Sequence, residues 1–513
     1  METQITSDEL TALGVTTPEA QTAFARVANG LISNAVHPKE KVLTLFAQLL
    51  DNPKRFSHSK NKLTNLARFV QAQAEAGIPL APTEYAQQLI AQETVREAER
   101  ELAFELPSRP SQRPGTYDLR PEPLGYPIYG PEHIEAGALG QMETAMRLPI
   151  AVAGALMPDA HQGYGLPIGG VLATDANTVI PYAVGVDIAC RMCLSIFDLP
   201  ASMTETESKL LKKVLVENTH FGIGSESNRR LDDSLFDRPE WRATKPIRDL
   251  RDKAYRQLGT SGTGNHFVEW GELEIFGNDD LLNVPPGKYL ALLSHSGSRG
   301  FGGGIAGYYS KVAMEKTRLP KEAQHLAWLT LDSEEGQAYW LAMNLAGEYA
   351  SANHHEIHDK IAKALNQSRL ALVENHHNFA WKEKLANGRE VMVHRKGATP
   401  AGPNDLGIIP GSMTLPGYVV RGKGEGASIH SASHGAGRVM SRSQAFRTLD
   451  KKVVRQAIET AGVSLIGGDL DEAPMVYKNI ETVMAAQQDL VTILARFLPK
   501  IVRMAEGKEK AED

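Results

Sequence analysis

The chain has 513 residues, 42% of them hydrophobic and 23% charged, with a formal net charge of −6. That composition allows a sizeable buried core and excludes a polycation that grips nucleic acid through bulk charge, so any such contact has to come from a local basic patch. Two cysteines, Cys190 and Cys193, exclude a disulfide framework, and the longest apolar stretch, Leu148–Pro158, is far short of the roughly 20 residues that span a bilayer.

Residues 1–104 read as an all-helical extension, with Ala23–Val36, Val42–Leu50 and Glu93–Phe104 carrying good helix formers. The amino end, Met1-Glu2-Thr3-Gln4, lacks the basic and apolar regions of a secretion signal, so a cytoplasmic protein with no membrane partner is expected. Residues 105–131 are dense in proline (Pro107, Pro110, Pro114, Pro121, Pro123, Pro127) and read as a linker, because proline removes backbone donors and blocks helix. From residue 132 to 513 the texture is α/β (α+β), one catalytic domain of mixed sheets and Gly-rich loops. Strands are predicted at Ile168–Thr174, Val179–Ile188, Lys288–Ser294, Glu390–Arg395 and Gly417–Arg421. A helix is predicted over Glu335–Leu365, where Tyr339, Met343, Ala346 and Ala350 recur at helical spacing, and another over Asn479–Met504, broken at Pro499. The charged tail Glu506–Asp513 is expected to be disordered.

Chemistry-bearing residues gather next to Gly-rich turns: Asp187 and Cys190 at the end of an apolar run, His266 after Gly262-Thr-Gly-Asn, His295 before Ser296-Gly-Ser-Arg299, His377 in Glu374-Asn-His-His-Asn378, and His434 before Gly-Ala-Gly-Arg438. Imidazole and thiolate suit borderline transition metals, a carboxylate adds preference for manganese, and one thiolate can serve two ions. Taken singly, each histidine reads more readily as a hydrogen-bonded structural residue than as a ligand; only the set points to metal. Gly259–Gly264 reads as a phosphate cradle or a simple turn. His354 and His358, four apart on a helix, read first as a core pair and Cys193 as a small buried hydrophobe; a zinc knuckle through Cys190 and Cys193 lacks its second pair.

Nine ordered segments, from Met157-Pro-Asp-Ala-His161-Gln-Gly-Tyr-Gly through Gly264-Asn-His-Phe-Val-Glu269, Arg395-Lys-Gly-Ala-Thr399 and Pro410-Gly-Ser-Met413 to Ala473-Pro-Met-Val-Tyr-Lys478, resemble the motifs of the RtcB RNA-ligase family from about residue 128 onward. The resemblance implies two manganese ions bridged by Cys190, with Asp187 and His266 completing one site and His295 and His377 the other. It implies GTP as the nucleotide and His434 as the nucleophile that takes up GMP. Asn265, Asn378, Arg299 and Arg438 would contact phosphates, and Glu269, Ser412 and Tyr477 would hold the nucleoside. The implied partner is RNA with a 3′-phosphate or 2′,3′-cyclic phosphate end and a 5′-hydroxyl end, in RNA repair or tRNA splicing, with an archease-like activator as a further partner.

The chain departs from the family pattern at Arg191, where Gly is usual, at His354 and Pro400, where Arg is usual, at Gly417 in place of Ser, and at Ala505 or Glu506 in place of a Lys. Arg191 is expected to crowd the metal site or reach a substrate phosphate. The altered guanine-side residues keep two alternatives open, a metal-dependent RNA-end phosphoesterase and a non-catalytic RNA-binding regulator.

Overall fold

A computed structural model of the chain describes residues 4–32, 39–56, 62–92, 109–227 and 234–506. The helix expected at Glu93–Phe104, the end of the Ala23–Val36 helix and the tail beyond Glu506 lie outside the described residues. The chain divides into two units, Met1–Glu105 and Leu106–Asp513.

The first unit contains helices α1 (Ser7–Leu13), α2 (Pro18–Ile32), α3 (Lys39–Asp51) and α4 (Lys62–Glu75). Thr6 opens α1 with a reciprocal cap: its hydroxyl accepts from Glu9 N–H at 3.3 Å while Glu9 Oε2 accepts from Thr6 N–H at 2.8 Å. Helix α2 starts five residues before the predicted Ala23, because Pro18 has the φ that a first helical turn needs and no N–H to waste. Phe24 and Phe46 meet edge to face at 4.9 Å inside a core that includes Leu10, Leu50, Leu66 and Val70.

In the second unit the Pro-rich segment is no free linker over its described part. Ser111 Oγ donates to Glu335 Oε1 at 2.5 Å, Arg120 donates to the carbonyls of Leu148 and Pro149 at 2.6 and 2.8 Å, and Gly115–Thr116 pairs with Thr317–Arg318. Side chains thus fasten a backbone that proline has stripped of donors.

Two sheets form the body. In chain order the strands are β1 (Ala151–His161), β2 (Ile168–Asp175), β3 (Arg191–Pro200), β4 (Phe267–Ile275), β5 (Gly287–Ser296), β6 (Arg369–His376), β7 (Asn378–Lys384), β8 (Glu390–Lys396), β9 (Leu406–Ile409), β10 (Gly417–Gly422), β11 (Ser464–Gly468) and β12 (Val491–Glu506). The first sheet runs β6-β3-β5-β4-β12-β10-β9, with β11 beside β12; the second runs β7-β8-β2-β1. Helix α5 (Ala136–Met146) packs Met142 and Met146 against Leu156 and Leu172 of the second sheet. Helices α6 (Lys245–Gln257), α7 (Arg299–Lys316) and α8 (Glu334–Leu365) share a core with Trp241, Phe301, Tyr339 and Tyr349. Helix α8 starts one residue before the predicted Glu335, because the Ser333 hydroxyl caps Gly336 N–H at 3.1 Å. No described helix is long and apolar enough to cross a membrane.

The architecture is mixed α/β, as the sequence implies. Two element predictions are corrected. Val179–Ile188 is not one strand: only Thr178–Val179 pairs, with Leu329–Thr330, and Pro181 then starts a helical turn ending at Val184. Asn479–Met504 is not a helix beyond Ile480–Ala485: a turn follows, and β12 begins at Val491. Ala495 and Phe497, two residues apart, pack in one core and Ile501 in another, and the pairing with β4 shifts register between Pro499 and Ile501. A bulge in a strand, like a helix break, is a place where proline loses no needed donor.

Candidate active site

Strand register assembles the site. In the adjacent strands β6, β3, β5 and β4, Arg191 pairs with His376, and His295 pairs with both Met192 and Phe267. Cys190 immediately precedes β3, His266 precedes β4, His295 lies one residue from the end of β5, and His377 follows β6. Four residues far apart in sequence therefore line up along one end of the sheet. Asp187 joins them through a turn in which Ala189 has φ 57°, while its Oδ1 accepts from Ser298 N–H at 3.0 Å.

The ligand-type atoms follow one another closely. Asp187 Oδ2 lies 3.1 Å from His266 Nε2, which lies 3.5 Å from Cys190 Sγ; Cys190 Sγ lies 3.0 Å from His295 Nε2, and that nitrogen 3.4 Å from His377 Nε2. Carbonyls can only accept, so Ser261 O (2.8 Å) and Asn265 O (3.0 Å) place the ring protons of His266 and His295 on Nδ1 and turn both Nε2 lone pairs inward. Burial, then the charge of neighbouring His266, pushes His295 down to about 3, and burial holds His377 well below the usual imidazole range. Burial pushes the Asp187 carboxyl up, but the proximity of His266 and the charge of Arg299 bring it to about 2. Asp187 Oδ2 is buried without a hydrogen-bond partner in the protein. Three imidazoles, one cysteine sulfur and an orphaned carboxylate oxygen are a donor set that fits divalent metal, with Cys190 central to the row.

His434 follows the short strand Ser431–Ser433, and its ring centroid is 4.9 Å from that of His377. Asp159 Oδ2 accepts from His434 Nδ1 at 2.7 Å, His434 N–H at 3.0 Å and Gly435 N–H at 3.3 Å. The ring proton is thereby fixed on Nδ1 and the Nε2 lone pair is left for chemistry. Burial pushes the Asp159 carboxyl up, but the His434 hydrogen bond and the charges of His434 and Lys478 outweigh it, and Asp159 sits below the ordinary carboxylate range. Sequence reasoning gave Asp159 no role. The available signal was an acidic residue in the apolar run Ala155–Ala160, which when buried demands a partner.

These groups open on a cavity of about 800 Å³, the size of a small-molecule site. Asn265, Glu269, Asn378, Ser412, Arg438 and Tyr477 line it, together with Asp187, Cys190, His266, His295, His377 and His434. Lys396, also without a role in the sequence reading, lines it too, and burial pushes its amine down to about 7. Burial raises the Glu269 carboxyl well above the carboxylate range. Arg438 is committed to the protein, donating to Asp471 O at 2.6 Å and Glu472 Oε1 at 3.3 Å. Arg299 does not line the cavity: it is buried beside the Gly259–Gly264 turn, where a Cβ on Gly262 would lie 2.1 Å from its guanidinium. That turn is held by Asn353 Oδ1, which accepts from Gly259 N–H at 2.7 Å.

Arg191 turns away from the metal-type cluster into a 2.8 Å ion pair with Glu374. Cys190 and Cys193 belong to different clusters. Cys193 gathers with His354 and His358, but Ser294 Oγ lies 2.7 Å from His354 Nδ1 and from His358 Nε2, and Ser195 Oγ 2.7 Å from His358 Nδ1. Serine hydroxyls thus occupy three of the four imidazole nitrogens, as in a core hydrogen-bond chain.

With this geometry in hand, comparison with known proteins is decisive: residues 141–505 match the model of the family described as tRNA-splicing ligase RtcB. The chain belongs to the RtcB family. The RNA-splicing ligases RtcB1 of Escherichia coli ATCC 25922 and RtcB of Escherichia coli K12 are each 33% identical over 397 residues, which is 70% of this chain and 92% of each relative. The tRNA-splicing ligase RtcB of Thermococcus kodakarensis is 31% identical over 415 residues, 67% of this chain and 86% of the relative. The RtcB match takes in Asp159, the row of ligand-type residues, His434 and Tyr477, and leaves the N-terminal helical unit outside.

Proposed function

We propose that this RtcB-family RNA ligase joins an RNA end bearing a 3′-phosphate, or a 2′,3′-cyclic phosphate first opened to it, to an end bearing a 5′-hydroxyl, using GTP and two manganese ions. The observation that carries the reading is His434, its Nδ1 held by Asp159 and its ring 4.9 Å from His377 at the edge of the ligand row. His434 Nε2 attacks the α-phosphorus of GTP, forming a P–N bond as pyrophosphate leaves. An oxygen of the RNA 3′-phosphate then takes the guanylate from His434, and the 5′-hydroxyl of the second end displaces GMP as the new phosphodiester forms. Asp187 and His266, with Cys190, would hold one ion, and His295 and His377, with the same thiolate, the other. Bound ions would supply positive charge to the phosphate oxygens.

Glu269, Ser412 and Tyr477 would hold the nucleoside. Asn265 and Asn378 would meet phosphates. An archease-like activator and a cytoplasmic setting belong to the same proposal. The test is covalent labelling: protein, manganese and α-labelled GTP or ATP, with His434→Ala alongside. Label from GTP that His434→Ala abolishes is expected. Label from ATP alone would overturn the guanine assignment, and none from either, with manganese verified on the protein, would refute the ligase chemistry in favour of a phosphoesterase or a binding role.

A further inference from the structure

The cavity takes its walls from both sheets. Glu269, Leu293, Phe497, Val502 and Met504 come from the first, and His161, Ile168 and Lys396 from the second. Between β1 and β2, the loop Gln162–Pro167 carries Tyr164, which lines the mouth with 68% of its surface exposed. The loop itself is pinned. Gln141 bonds both the N–H (3.0 Å) and the carbonyl (2.5 Å) of Gly163, Glu135 Oε1 accepts from Gln162 N–H at 2.6 Å, and Lys396 Nζ donates to the Tyr164 carbonyl. Gly165, at φ +70°, sits where a Cβ would be 3.0 Å from His325 O, and the Tyr164 and His325 rings meet edge to face at 6.3 Å. A ring this open on a backbone this fixed is held in place for a partner rather than left loose.

The partner's chemistry follows from position. Lys396, which grips the Tyr164 carbonyl, precedes Gly397, whose Cβ would lie 3.1 Å from His434 Cε1. The ring therefore shares the lining of one cavity with Gly397 and His434. Aromatic faces stack any nucleobase, which suits a ligase that must accept many sequences. We infer that Tyr164 is the stacking platform for the terminal nucleobase of the RNA strand whose 3′-phosphate receives the guanylate. This rests on the ligase reading above.

The experiment uses the full chain with manganese, GTP and an oligoribonucleotide carrying a 3′-phosphate, and follows two steps: guanylate uptake by the protein, then its transfer to RNA. Tyr164→Ala is expected to keep the first step, which involves no RNA, and to raise the RNA concentration for half-maximal transfer by about 5- to 150-fold, the range that alanine substitution gives at base–aromatic stacks. Tyr164→Phe restores transfer. An oligonucleotide whose terminal nucleotide lacks its base should impose the same penalty on the wild type and none on Tyr164→Ala. Transfer unchanged in Tyr164→Ala, or a missing base that harms both proteins equally, would overturn the platform while leaving the ligase intact. A wild type that takes up no guanylate would overturn both.

Discussion

Replacing Asp159 with Asn isolates the charge behind His434, the proposed nucleophile. One carboxylate oxygen accepts three donors, and two of them are backbone N–H groups that cannot rotate away. The carbonyl of the introduced amide must therefore face them, so Asp159→Asn keeps the Nδ1–H tautomer of His434 and removes only the negative charge. On the proposed mechanism His434 gains positive charge as its Nε2 bonds to phosphorus. Opposite unit charges about 4 Å apart at an effective dielectric near 20 attract by about 4 kcal/mol, and half of that applies if the charge is half developed in the transition state. A loss of about 2–4 kcal/mol slows guanylate uptake roughly 30- to 900-fold. Rapid-quench labelling with GTP measures the rate, and a melting curve with circular dichroism shows that the variant is folded. The half-saturating GTP concentration should not move, because the charge acts on the step and not on the bound nucleotide. A rate within a factor of about three of wild type would refute the argument that Asp159 stabilises the charged imidazole.

Gly437→Ala should abolish guanylate uptake and lower the melting temperature, since its φ of +75° costs a side chain about 1–2 kcal/mol and its Cβ would fall 2.0 Å from Asp159 O. Lys396 titrates near 7 in the fold against about 10.4 unfolded, so the folded chain binds fewer protons between these values and stability rises with pH across that window. Urea unfolding at pH 7 and pH 10 should show that rise, and Lys396→Met should remove it. Arg191→Met removes one partner of the Glu374 carboxylate, which keeps Ser351 and His355, and should cost about 1–3 kcal/mol in urea unfolding, most of it regained on adding Glu374→Gln; a cost that persists in the double variant would mean that Arg191 acts by packing.

Much of this fold is legible because the patterns are local. Ile168–Thr174, Lys288–Ser294 and Glu390–Arg395 are β-branched or apolar runs between turn residues, and each lies within its observed strand. Strand β12 is misread because Ala495, Arg496, Leu498 and Lys500 are helix formers, and only its neighbours β4 and β10 decide the contest. The ligand-type residues are legible through motif and turn chemistry, but their row depends on the pairing of four strands, which no local window contains. Arg191 is misjudged for a related reason. Position beside Cys190 suggests the metal cluster, but successive residues at a strand start point to opposite faces, and Glu374 across the sheet captures the guanidinium. Asp159 escapes because its partner lies 275 residues away.

His377 is the single residue between β6, the edge strand of the first sheet, and β7, the edge strand of the second. Cys190, His266 and His295 are mounted on the first sheet, whereas His434 hangs from the second through Asp159. The site therefore takes its parts from two separate sheets, and the one residue that joins their edge strands carries a ring in the row of donors.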